Sequence, residues 1–264
     1  VAREAQVAHV TTEVVPVAAR LPAWATLVRA PNPGPMTLEG TNTWVLRARP
    51  GDPAVVVDPG PADEEHLAAV AGHAPFAGVL ATHGHPDHVD GLARFRELTG
   101  APPGGGGAYA GLSIEVLATP GHTADSACFV VSGGGEPAVL TGDTILGRGT
   151  TVVAVPDGNL GDYLASLRRL AALAPMPALP GHGPALSDVA AAASYYLAHR
   201  LARLEQVRAA LAAGARTPAE VVATVYTGLD RSLWPAAEWS VRAQLAYLAE
   251  ERECDARPAT LEEP

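Results

Sequence analysis

Three of the nine histidines fall within one six-residue stretch, His83-Gly84-His85-Pro86-Asp87-His88. Imidazole nitrogens beside a carboxylate form a donor set that suits zinc and other first-row divalent metals. Gly84 and Pro86 punctuate the stretch, so a sharply turned loop rather than a helix is expected, with side chains free to converge. Further donors follow at wide intervals: His122 in Pro120-Gly121-His122-Thr123, Asp143 in Thr141-Gly142-Asp143, and His182 in Pro180-Gly181-His182-Gly183. Each sits behind a short apolar run and beside glycine, which lets backbones approach closely. Together His83, His85, Asp87, His88, His122, Asp143 and His182 offer enough donors for two metal ions with positions left open for water and substrate. A hydroxide held between two such ions exists near neutral pH, because zinc lowers the pKa of bound water to about 7, and it could attack a carbonyl carbon or a phosphorus. Asp87 and Asp143 are the candidate catalytic carboxylates. Zinc is the first expectation, with manganese or iron accepting the same donors.

Donors so scattered need a scaffold that returns to one place. Short apolar runs predict strands at residues 41–47, 54–58, 78–82, 113–119, 127–132 and 138–141, several continuous in Val and Leu as in sheets covered on both faces. Helices are expected over 62–71, 91–98 and 160–173, the last with Leu160, Leu164, Leu167, Leu170 and Leu173 along one face. After residue 185 the texture changes. Residues 187–213 lack Gly and Pro, with Ser187 placed to cap a helix and Gly214 to end it. Thr217-Pro218-Ala219-Glu220 reads as a capping box, and a third helix is expected over 236–250. This divides the chain into a metal-binding domain (1–186) and a small helical module (187–264), with a frayed tail after Arg252.

Composition removes several function classes. The net charge is −10 and every basic residue is Arg, which rules out lysine Schiff-base chemistry and disfavours broad nucleic-acid binding. Two distant cysteines, Cys128 and Cys254, read as free thiols, and a reducing cytoplasm is the expected compartment. No apolar run is long enough to span a bilayer, and residues 1–8 lack the layout of a secretory signal. Residues 104–107 are glycine but no Lys-Ser/Thr follows, so they predict a flexible loop rather than a phosphate cradle.

The order His-x-His-x-Asp-His, then Gly-His, Gly-Asp and Gly-His-Gly, resembles the metallo-β-lactamase superfamily. The resemblance implies an α/β fold, a four-layered αββα sandwich with the metals between the edges of two sheets. It implies that His83, His85 and His122 hold one metal, that Asp87, His88 and His182 hold the other, and that Asp143 bridges them. Asp58, in Val57-Asp58-Pro59-Gly60, matches a position that supports a ligand histidine from behind. True lactamases of this fold carry Cys or Ser where Asp143 stands, so antibiotic hydrolysis is not expected. Redox relatives replace part of the first motif, which is intact here.

Residues 32–43 and 142–151, with Pro180-Gly181-His182-Gly183-Pro184 and His199-Arg200, are similar to the lactamase-β-like endoribonuclease family. Members of that family cut single-stranded RNA and carry a small winged-helix-like C-terminal module. The acidic charge, and Gly84 where relatives often carry a bulky residue, depart from the pattern. Three readings follow. The first is a metal-dependent nuclease whose C-terminal module grips RNA; Arg200, Arg203, Arg208 and Arg216 make that module locally basic, although a solvated helix face also accounts for them. The second is an ester or thioester hydrolase whose small or carrier-bound acyl substrate sits among Asn42, Trp44, Arg148 and the C-terminal helices; Asp58, Asn42 and Arg148 are candidates either to support the ligands from behind or to face that substrate. The third is a binding protein with a degenerate site. An open positive groove beside the metals would favour the first, and a closed apolar pocket the second. The sequence offers no handle on oligomeric state.

Overall fold

In the computed structural model, residues 20–256 are described. Two sheets face each other. The first has the order β1 (Ala25–Arg29), β2 (Asn42–Leu46), β3 (Ala54–Val57), β4 (Phe76–Leu80). The second runs β5 (Gly107–Tyr109), β6 (Leu112–Ala118), β7 (Ala127–Gly133), β8 (Glu136–Gly142), β9 (Ala178–Pro180). Neighbours pair antiparallel except β3 with β4 and β8 with β9, which run parallel through crossover segments.

Side-chain alternation along the strands explains the layering. Val55 and Val57 of β3 enter the core between the sheets, with Leu140 of β8 and Phe129 and Val131 of β7. Ala54 and Val56 point the other way, onto Leu67 and Val70 of α1 (Glu64–Ala71) and Phe95 of α3 (Leu92–Thr99). Cys128 and Val139 of the second sheet face a third core, built with Leu164 and Leu167 of α4 (Leu160–Ala171). Strands buried on both faces therefore read as continuous apolar runs, and the layers are helix, sheet, sheet, helix.

That third core continues into the C-terminal helices α5 (Val189–Ala212), α6 (Pro218–Val225) and α7 (Trp234–Ala256), a 3-10 turn (Arg231–Leu233) leading into the last. No strand follows β9 among the described residues. Thr217 and Glu220 form the expected capping box of α6. Asp188, not Ser187, caps α5, because its carboxylate accepts from the amides of Ala190 and Ala191. The last helix starts at Trp234 and continues past Arg252 to Ala256, where fraying was expected. Residues 1–8 and 257–264, with the expectations placed on them, lie outside the described residues. Cys128 is a free, buried thiol. No helix is long and apolar enough to cross a membrane among the described residues.

Candidate metal centre

The donors cluster where strands end. Asp58 follows β3, His83 follows β4, His122 follows β6, Asp143 follows β8 and His182 follows β9. A turn of helix was not expected at 86–89, but Pro86–Val89 forms one (α2). Proline was read there as a breaker; at the first helical position its fixed φ and missing N–H suit a helix start. His83 and His85 stay on the loop before it, and Asp87 and His88 lie on the turn.

The seven donors converge as three overlapping groups: His83, His85 and His122; Asp87, His88 and His182; and His83, His88 and Asp143, with the donor atoms of each group within 4.8 Å of one another. His85 Nδ1 lies 3.0 Å from Nε2 of both His83 and His122. On the other side His182 Nε2 lies 3.1 Å from Asp87 Oδ2 and 3.2 Å from His88 Nε2. Asp143 stands between the groups, its Oδ2 3.4 Å from His182 Nε2 and 3.7 Å from His122 Nε2.

Outer partners orient the rings. His122 donates from Nδ1 to the Val152 carbonyl (2.7 Å), and His88 from Nδ1 to Asp58 Oδ2 (2.8 Å). His83 Nδ1 lies 3.0 Å from Thr82 Oγ1, whose own hydrogen goes to Asp58 Oδ2 at 2.7 Å. With Nδ1 committed outward, the Nε2 lone pairs of these rings face inward. Asp143 Oδ1, meanwhile, is buried with no hydrogen-bond partner. Inward lone pairs and an orphaned carboxylate oxygen repel one another unless positive charge lies among them, so the residues fit a pair of divalent cations.

The electrostatics agree. Burial pulls His83 down to about 3, and it lowers His122 as well. For His182, burial is outweighed by Asp143 and Asp87, which raise it to about 9; His88 is likewise held well above its usual value by Asp58 and Asp143. Burial would raise Asp87, but His182 and His88 outweigh it and bring the carboxyl to about 2.

Glycine allows this packing at Gly181, where a Cβ would meet Asp143 Oδ1 at 2.6 Å and His88 Cε1 at 2.7 Å. Trp44, expected beside the substrate, does not line the cavity, and neither does Asn42, which stands on the supporting side of its two expected roles. Both are buried, and they hold the loop that carries His182. Asn42 Nδ2 donates to the carbonyls of Pro180 (3.0 Å) and Gly183 (2.8 Å), and Trp44 Nε1 donates to that of Pro180 (3.1 Å). Their polar atoms satisfy buried carbonyls that would otherwise be orphaned. Arg148 is half-exposed, lines the cavity described below and pairs with Glu39. Sequence reasoning missed Thr82 and Val152: the first stands unread just before the motif, and the second acts through a backbone carbonyl that no residue type reveals.

A cavity of about 840 Å³ opens on Asp87, His122, Asp143 and His182 and extends to α5, the segment after α6, and α7. Its walls include Met36, Leu38, Leu146, Leu229, Leu233 and Ala237. Tyr196 steadies one wall, its hydroxyl 3.1 Å from both N and O of Leu146.

Comparison with known proteins agrees with this architecture. The metallo-beta-lactamase superfamily matches residues 36–115 and 103–182, and the beta-lactamase associated winged helix domain matches 217–253. The chain is 29% identical over 289 residues to a beta-lactamase-like protein 2 homolog of Drosophila melanogaster, covering 90% of this chain and 92% of that one. It is 31% identical over 231 residues to an atrochrysone carboxyl ACP thioesterase of Aspergillus fumigatus, covering 74% and 71%. In fold it is similar to a metallo-beta-lactamase family protein of Thermus thermophilus, with TM-score 0.71 and 24% identity over 87% of this chain and 94% of that one. A rim of strand ends carrying convergent histidines and aspartates, between two sheets and beneath a helical cap, thus has its family: the chain belongs to the metallo-beta-lactamase superfamily, as a metallo-hydrolase with a C-terminal winged helix domain.

Proposed function

We propose that this metallo-hydrolase cleaves the ester or thioester bond of an acyl substrate held in the cavity beside the donor cluster. The apolar lining of that cavity carries the reading. A pocket walled by Met36, Leu38, Leu146 and Leu229 can desolvate an acyl chain and direct its carbonyl to the centre. RNA would want a continuous positive stripe open to solvent, yet of the four arginines expected to grip it Arg200 is buried and Arg208 is paired with Glu205 and Glu251, which breaks the stripe. The similarity to a protein named as a thioesterase points the same way.

In this reading His83, His85 and His122 would hold one ion, Asp87, His88 and His182 would hold the other, and Asp143 lies between the two groups. Bound there, two divalent ions would lower the pKa of water and polarise the scissile carbonyl. The chain's own residues do the rest. Asp58, Thr82 and the Val152 carbonyl fix the histidine rings, Asn42 and Trp44 fix the His182 loop, and the apolar walls exclude bulk water.

Metal-reconstituted protein should be assayed side by side on an acyl thioester, a lactone and single-stranded RNA. Thioester hydrolysis that disappears in Asp143→Ala is expected. RNA cleavage with the acyl substrates untouched would overturn the assignment.

A further inference from the structure

Arg200 is 5% exposed. Its Nη2 donates to the Thr151 carbonyl, its guanidinium lies 5.2 Å from the Tyr163 ring centroid, and its Nε has no partner. Three residues on, and so on nearly the same side of α5, Arg203 stacks 4.4 Å over Tyr226 and donates to the Val225 carbonyl (2.9 Å) and Gln206 Oε1 (2.8 Å). Among the described residues the arginine–carboxylate pairs run through Arg94, Arg148, Arg208 and Arg242, and neither Arg200 nor Arg203 has such a partner. This happens in a chain with 28 acidic residues against 18 basic ones, so acidic partners are not scarce.

Both arginines line the cavity that opens on the metal centre. The carboxylates in that lining, Asp87 and Asp143, belong to the donor cluster, and Arg148 is already paired with Glu39. His199, beside them in the lining, adds no charge: burial, then Arg200 and Arg203, bring its pKa down to about 4. Burying a guanidinium against carbonyls and ring faces satisfies some of its N–H groups and leaves its charge uncompensated, which is costly unless a counter-ion arrives.

We propose that Arg200 and Arg203 form an anion subsite in the cavity wall, so that the substrate carries, besides its scissile carbonyl, an anionic oxygen group, either a carboxylate or a phosphate. The proposal rests on the acyl-hydrolase reading for what happens at the carbonyl, but the subsite itself does not. The guanidinium fork suits either group. A carboxylate would come from the far end of the acyl chain, and a phosphate from the thiol carrier.

Two measurements test it. The first is calorimetric binding of adipate and of inorganic phosphate to metal-free protein, which keeps the anion from reaching a metal. Wild-type protein should bind at least one of them, Arg203→Gln should weaken that binding about tenfold or more, and Arg203→Lys, which keeps the charge without the fork, should weaken it less than Arg203→Gln does. Equal binding by wild type and Arg203→Gln, or no binding by wild type, would overturn the subsite; the Arg203→Lys variant and thermal midpoints separate lost charge from lost fold. The second compares kcat/KM for thioesters of equal length that end in a carboxylate or a methyl group, and for one neutral acyl group on pantetheine with and without its phosphate. A preference for one charged member that shrinks toward unity in Arg203→Gln is expected, and it identifies which part of the substrate carries the charge. A preference unchanged in Arg203→Gln, or none in wild type, counts against the proposal. Turnover of no thioester alongside Arg203-dependent anion binding would instead reject the acyl reading and leave the subsite standing.

Discussion

Asp58 Oδ2 lies 2.8 Å from Nδ1 of His88 and also accepts from Thr82 Oγ1, while Asp58 Oδ1 accepts from the Thr82 amide at 2.7 Å. One buried carboxylate thus takes hydrogens from three donors, two on Thr82 and one on His88 of α2. Asp58→Asn keeps the shape but turns one acceptor into a donor facing donors. Metal affinity should fall 10- to 100-fold, roughly the loss seen when such an outer partner is removed. Competition with a chromophoric chelator reads this directly, and unchanged affinity would mean that Asp58 does not govern His88.

Asp143 touches both donor groups. Asp143→Ala should therefore lower the metal content measured by elemental analysis, whereas full occupancy would exclude the bridging role proposed for Asp143. Excess chelator should abolish hydrolysis of any substrate the intact protein turns over, and activity that survives it would exclude metal-assisted chemistry.

Gly181→Ala probes packing without removing a donor. The added Cβ would press on Asp143 Oδ1 and His88 Cε1. Overpacking of this kind costs about 1–3 kcal/mol. A drop in urea-unfolding stability of that order, with weakened metal binding, is expected. Wild-type stability and affinity would show that the neighbouring loops yield freely.

His199 supplies a pH dependence remote from the donors. Burial and the two arginines hold its pKa at about 4, against about 6.5 for a free imidazole. Between these values the unfolded chain takes up the proton and the native ring does not, so stability falls as pH drops from about 6.5 to about 4 and is level outside that window. The loss is of order 3 kcal/mol at most. In metal-free protein, the urea midpoint should fall further between pH 7 and pH 4.5 for wild type than for His199→Gln. Parallel losses would place the responsible group elsewhere.

The donors were legible because metal binding restricts residue type and because strands buried on both faces announce themselves as apolar runs. β1 escaped notice for the opposite reason: an edge strand with mostly half-exposed side chains, it has neither a continuous apolar run nor clean alternation. The turn at Pro86–Val89 was hidden because one residue type serves both to stop a helix and to start it. Asn42 looked like a substrate contact because polarity near a site invites that reading; the carbonyls it serves lie more than a hundred residues away in sequence. The arginines of α5 looked like a solvated or RNA-facing stripe because local sequence says nothing of the loop and ring faces packed against them.

All seven donors come from positions 83 to 182, whereas Tyr195, Arg203, Tyr226, Leu229 and Ala237, which shape much of the cavity, come later in the chain. Met36, Leu38 and Leu146 add wall from the earlier domain, but the later stretch carries no donor. Duplicated copies of such a gene can diverge in diet while keeping the same chemical engine. A library randomised at those five later positions is accordingly the direct route to new selectivity, with the donors left as they stand.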